Sequence, residues 1–305
     1  MQAQEESAIQ LLAEPSHVRD SYWQRFRRNR VTFVSFIVFV LIVLAALIGP
    51  FVYRVDPAAT DFLAINSAPS LSHPLGTDNL GRDTLARLLQ GLRVSLLVVL
   101  VVEAINVLLG ATIGLLAGYL GGWVDNLLSR LADMLFAFPG LLLAILVAAV
   151  WGDWVTKHFG SIGRLLLVAT ALSLVSWPLM ARFVRGETLS IREREFILAA
   201  RALGVTDRRI LLNHVLPNVT GLVITAATLD AVGVIINESV LSLLGLGTQP
   251  PMASIGRMIN DAVKFFSQSQ FQVFVPSAML VLLVILLSYI GDGIRDVLDP
   301  YSSKR

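Results

Sequence analysis

Cysteine is absent from all 305 residues. That excludes disulfides, thiolate metal sites and a cysteine nucleophile, and it leaves the redox compartment open. Lysine is scarce: Lys157, Lys264 and Lys304 are the only three among 24 cationic side chains. None follows a glycine, so the Gly-Lys-[Ser/Thr] ending of a phosphate-binding P-loop is missing. Charge of either sign is sparse, 15% of residues against about 25% in soluble domains. There is no HExxH zinc motif, no convincing internal repeat, and no Ser/His or paired-aspartate arrangement within the apolar runs.

What is abundant is hydrocarbon. The chain is 55% hydrophobic, with mean hydropathy +0.71. This composition reads as an all-α polytopic membrane protein. A span needs about 20 apolar residues, and six runs qualify: Val31 to Tyr53, Val94 to Trp123, Met134 to Trp151, Leu165 to Ala181, Val219 to Leu246 and Val273 to Ile290. The thirty residues before the first run are mostly polar and include Glu5, Glu6 and Glu14. That run also exceeds the roughly 7–15 residues of a signal-peptide core, so no secretory signal is read here.

Cation placement sets orientation. With both termini cytoplasmic, 16 of the 24 cations fall inside and 8 outside. Trp23, Tyr53, Trp123, Trp151 and Trp154 stand near span ends as interface anchors. Three segments follow: 1–93 for the N-terminus, first span and long outer loop; 94–292 for the five-helix membrane domain, with a cytoplasmic loop at 186–217; and 293–305 for a cytoplasmic tail. The outer loop is irregular through its prolines and glycines, then turns helical from Asp83, with Leu85, Leu88, Leu89 and Leu92 on one side of an expected interfacial helix. His73, Asp78 and Asp83 match no metal-site spacing and read as turn or cap residues.

Four features inside this frame are candidates. Gly110, Gly114 and Gly118 recur every four residues and give one helix a smooth face for close packing. Glu103, Asp230 and Glu238 are acids within apolar runs, where such residues face protein or water. At ~1.5 Å per residue, Asp230 sits ~16 Å into its run and Glu238 ~28 Å, near the outer end. With Asn237, they are either structural hydrogen-bonding groups or contacts for a passing cationic or zwitterionic substrate.

The fourth feature is EFILAARALGVTDRRILLNHVLPN, Glu195 to Asn218. Ser190 and Glu193 fit a capping box, Gly204 fits a helix stop, Thr206 fits a second N-cap, and Pro217 limits the second helix. Phe196, Ala200 and Leu203 form one apolar ridge, with Ala199 beside it. The residues alone leave two readings open: a basic helix resting on anionic lipid, or a docking element for another protein.

Ala199-Ala200, Gly204 and Leu216-Pro217 resemble the "EAA" loop of permease subunits in bacterial ABC importers, with Leu198 in the place of the family's glutamate. HPLGTDNLGRD, WPLMARFVRGETLSIREREF, ESVLSLLGLGTQPP and GDGIRDVLDP resemble the peptide and nickel branch, most of all the second permease of oligopeptide and dipeptide importers. The resemblance implies the type I importer transmembrane fold in the bacterial inner membrane. It also implies a coupling helix in which Glu195, Phe196, Leu198, Ala199, Ala200, Arg201, Leu203 and Gly204 dock an ATPase. The implied partners are a second related permease, two cytoplasmic ATPase subunits or domains carrying ATP and Mg, an external substrate-binding protein and the lipid bilayer, with no nucleic acid and no cofactor or metal in this chain. Peptides are the implied cargo, with nickel chelates, opines or another small solute as the alternative. A secondary transporter using Asp230 as an ion site would leave the loop pattern unexplained.

Overall fold

The computed structural model describes residues 22–298. The expected N-terminal and C-terminal tails lie largely outside them. Eleven α-helices are described: α1 (Tyr22–Arg28), α2 (Arg30–Val52), α3 (Thr84–Ile105), α4 (Thr112–Leu120), α5 (Gly122–Phe136), α6 (Gly140–Arg192), α7 (Glu195–Ala202), α8 (Asp207–Ile210), α9 (Leu216–Leu243), α10 (Ile255–Val263) and α11 (Phe271–Leu298). Two π-helical turns, Asn106–Ala111 and Leu211–Val215, join α3 to α4 and α8 to α9. Among the described residues no strand forms; one isolated bridge pairs Thr77 with Asp83.

Among the described residues, five stretches are long and apolar enough to cross a membrane: Arg30–Val52, Thr84–Leu120, Gly140–Arg192, Asp207–Leu243 and Phe271–Leu298. The third is really two helices. Gly160 has φ 64° and ψ −158°, which only glycine adopts easily, and the helix reverses there. Gly140 lies against Val175, and Gly152 against Arg164, so the two arms run antiparallel. The expected loop between the third and fourth runs is thus a helical hairpin. The third run also begins later than expected. Met134 belongs to α5, which stops at Phe136 before Pro139 starts α6.

Asp83 is the N-cap of α3, its Oδ1 accepting from Ala86 N at 2.8 Å. No separate interfacial helix follows. Leu88, Leu89 and Leu92 are buried as the first turns of the membrane helix itself. Thr84–Leu120 then descends parallel to the second arm of α6. A Cβ on Gly110 would come within 2.6 Å of Met180, one on Gly114 within 2.8 Å of Val184, and one on Gly118 within 2.8 Å of Thr188. The constant offset of 70 residues marks parallel axes, and the glycines let the backbones meet.

The core holds Val98, Val102, Val168, Leu172, Ile235, Leu241, Ile255 and Leu283, drawn from α3, α6, α9, α10 and α11. At one end, the 53–83 loop is tied down by charge. Asp78 binds Arg82 at 2.7 Å and also Arg87, while Asp261 of α10 binds Arg87 and Arg257, each at 2.9 Å. Asp78 Oδ1 also accepts from the backbone of Leu80 and Arg82, a turn role. Among the described residues no acidic and histidine cluster suited to a metal is present. At the opposite end lie the Gly121–Gly122 turn and the segment from Glu193 to Val215.

Candidate functional site: the helical corner at Glu195–Val215

The second arm of α6 runs on through Arg192, with Glu193 as its C-cap. The expected Ser190–Glu193 capping box therefore does not form. Thr188 and Ile191 are fully buried around Ser190, and that packing holds the turn helical. The chain bends at Arg194, whose extended ψ of 147° starts α7.

α7 is two-faced, though not along the expected ridge. Ile197 (0% exposed) and Ala200 pack inward with Tyr119, Ile191, Ile210, Val215 and Val219. Phe196, Leu198, Ala199 and Leu203 (83% exposed) point away, flanked by exposed Glu195 and Arg201. The ridge of Phe196, Ala200 and Leu203 is split: Ala200 anchors the helix, and the other two are free. Ile197 and Ala200, three residues apart, flank the side that the membrane helices cover, and Phe196 and Leu203 fall outside it.

Gly204 ends α7 with φ +76°. Its N–H donates to Arg201 O at 2.9 Å and that of Val205 to Ala200 O at 3.1 Å. That is the paired hydrogen-bond pattern of a Schellman stop, with Val205 packed beside Ala200. α8 follows without a side-chain cap from Thr206. The second helix does not end before Pro217. It passes through the π turn Leu211–Val215 into α9, with Pro217 in the first turn, where its missing N–H costs nothing.

The intramembrane acids separate into two groups. Glu238 is fully buried and accepts from Ser95 Oγ at 3.0 Å and Ser242 Oγ at 2.7 Å, while Ser254 Oγ donates to Ser242 at 3.1 Å. It clamps α3, α9 and the start of α10. α9 continues past it to Leu243. Asp230 instead borders a cavity of about 40 Å³ shared with Ser176, Val234, Asn237 and Gly140. Asn106 Nδ2, at the start of the first π turn, donates to Asp230 at 2.9 Å and to Ser176 at 3.0 Å. The Glu103 carboxyl neighbours that of Asp230, and both its oxygens are buried without another partner. So Glu103, Asp230 and Asn237 share one region and Glu238 stands apart. Asn106 and Tyr119 were missed as site residues. The only signal for Asn106 was an amide in an apolar run, three residues after Glu103.

Residues 110–304 match the family described as binding-protein-dependent transport system inner membrane component, and residues 19–69 match the N-terminal TM domain of oligopeptide transport permease C. The chain belongs to this family of transport-system membrane components. It is 36% identical over 293 residues to the glutathione transport system permease protein GsiD of Escherichia coli O157:H7, covering 95% of this chain and 93% of that one. It is 36% identical over 278 residues to the dipeptide transport system permease protein DppC of Alkalihalophilus pseudofirmus, covering 91% and 88%. A chain of the inward-facing MetNI methionine ABC transporter overlays it with TM-score 0.55 at 19% identity, over 68% of this chain and 94% of that one. This last likeness establishes the type I importer fold alone.

Proposed function

We propose that this chain is a membrane subunit of an ATP-driven importer in the bacterial inner membrane, forming half of a peptide pathway. The observation that carries the reading is the exposed apolar face of α7, Phe196, Leu198, Ala199 and Leu203, set on a rigid corner between two membrane helices. A short helix with its inner face locked transmits displacement rather than absorbing it. The family membership and the names of two relatives, one for glutathione and one for dipeptides, support peptide cargo. The reversal at Gly160 supports six crossings with both termini cytoplasmic, α7 then lying at the inner surface.

The partners in this reading are one related permease, two ATPase subunits or domains that hold ATP and Mg, and an external substrate-binding protein. Asp230, Glu103 and Asn237 line the pathway of the cargo, and Glu238 holds helices together. The test is uptake in a deletion strain, comparing di- and oligopeptides with nickel, together with co-purification of ATPases on the tagged chain. Peptide uptake that returns only with the wild-type gene supports the reading. A chain that transports alone, without an ATPase, overturns it.

A further inference from the structure

Three elements of the corner converge on one side chain. Tyr119 stands in the last turn of α4 and is only 3% exposed. Its hydroxyl donates to Asp207 Oδ1, the first residue of α8, at 2.6 Å. Arg201, in the last turn of α7, holds its guanidinium 5.0 Å from the centre of the Tyr119 ring. Arg192, at the end of α6, donates to the carbonyls of Gly118 and Tyr119, both at 3.3 Å. Two residues after Tyr119, Gly121 reverses the chain with φ +67°.

We propose that Tyr119 is a positioning residue, a latch through which α7 and α8 drive α4 when a partner moves them. The proposal rests on the importer reading above. The hydroxyl–carboxylate bond is charge-assisted, short and directional, and the cation–ring contact adds a second tie. Without it, the corner would touch α4 mainly through apolar contacts among Ile197, Ile210, Val215 and the Tyr119 ring, which resist separation but tolerate sliding. α4 in turn carries Gly114 and Gly118, packed backbone-close on α6, so a shift at Tyr119 reaches the membrane helices directly. Phe196, Leu198, Ala199 and Leu203 take no part in this arrangement and stay free for the partner.

The experiment uses the complete complex, reconstituted with its ATPases and binding protein, and measures ATP hydrolysed and peptide imported in parallel. Tyr119→Phe keeps the ring and removes only the hydroxyl. The expected result is unchanged recovery of the ATPases and a roughly tenfold fall in peptide imported per ATP, the factor set by losing one hydrogen bond to a charged group. Asp207→Ala, at an exposed position, should give the same fall. In a double-mutant cycle the second change should add nothing to the first. An unchanged ratio in both variants overturns the latch while leaving the importer reading intact. A parallel loss of hydrolysis, uptake and abundance would mark Tyr119 as packing only, and also overturns it. Failure of the wild-type chain to recover any ATPase sinks the importer reading itself.

Discussion

Asn106 donates to Asp230 at 2.9 Å, across the interface between the first π turn and α9. Asn106 is fully buried. A π turn shifts side chains off the regular helical register and is common at functional sites, and here it sets an amide against an intramembrane carboxylate.

If Asp230 lines the peptide pathway, Asp230→Asn should lower uptake while the complex assembles normally. The asparagine oxygen still accepts from Asn106, so the helix contact survives and only the carboxyl group is lost. Uptake and size-exclusion profiles of the variant decide it. An unassembled complex would make Asp230 a helix-joining group and remove it from the pathway.

The glycine face of α4 and its π turn gives a contrast with another glycine. Gly114→Leu must push against Ala181 O, which would lie 2.5 Å from its Cβ, and against Val184. Overpacking of this kind costs about 1–3 kcal/mol. Gly233→Ala in α9 meets nothing within 4 Å, and alanine is the better helix former by roughly 0.5–1 kcal/mol. Melting in detergent should fall for the first variant and hold or rise for the second.

Local chemistry was legible from the sequence where one residue decides it. Gly204 was read as a stop because few other residues accept a left-handed backbone, and it has φ +76°. The apolar runs were legible because a span needs mostly length and hydrocarbon. What was not legible depends on distant partners. Ser190 and Glu193 carry a good capping signal, yet α6 continues past Ser190 to Arg192 because Thr188 and Ile191 are packed, with Thr188 against the Gly118 strip. Glu238 left a structural role and a substrate contact both open in the sequence, because its partner Ser95 lies 143 positions away. The inward turn of Ile197 and Ala200 needed Val215 and Val219 in place.

Alkaline pH gives a test of the 53–83 loop. Tyr53 donates to Asp83 Oδ2 at 2.8 Å, and His73 Nδ1 shares that oxygen at 2.9 Å. Burial first, and then the Asp83 carboxylate, push the Tyr53 hydroxyl up to about 12 from 10.0. A raised value favours the neutral phenol in the folded state. Its contribution is therefore complete below pH 10.0 and lost as pH rises through about 12. The difference in melting temperature between wild type and Tyr53→Phe should be constant at neutral pH and vanish across that window. A constant difference up to pH 12 would show that the hydroxyl is not held by Asp83.

Gly204 carries the sharpest separation between folding and function. A Cβ there meets nothing within 4 Å, so steric crowding is not the issue. The issue is φ +76°, which a β-branched residue strongly resists. Gly204→Val should cost on the order of 1–3 kcal/mol locally; Gly204→Ala is strained in the same sense, though less. The stop would be lost, α7 would extend or tilt, and α8 would leave at a new angle. Insertion of the long apolar helices is insensitive to a change of that size, so abundance in the membrane should be normal. A docking contact is sensitive, because ~1.4 kcal/mol is a factor of ten in affinity. The expected phenotype is a chain that reaches the membrane, recovers little ATPase on co-purification and imports no peptide. Full ATPase recovery with normal uptake would mean that the exposed face of α7 rests on lipid, and the docking role of Phe196, Leu198, Ala199 and Leu203 would fall with it.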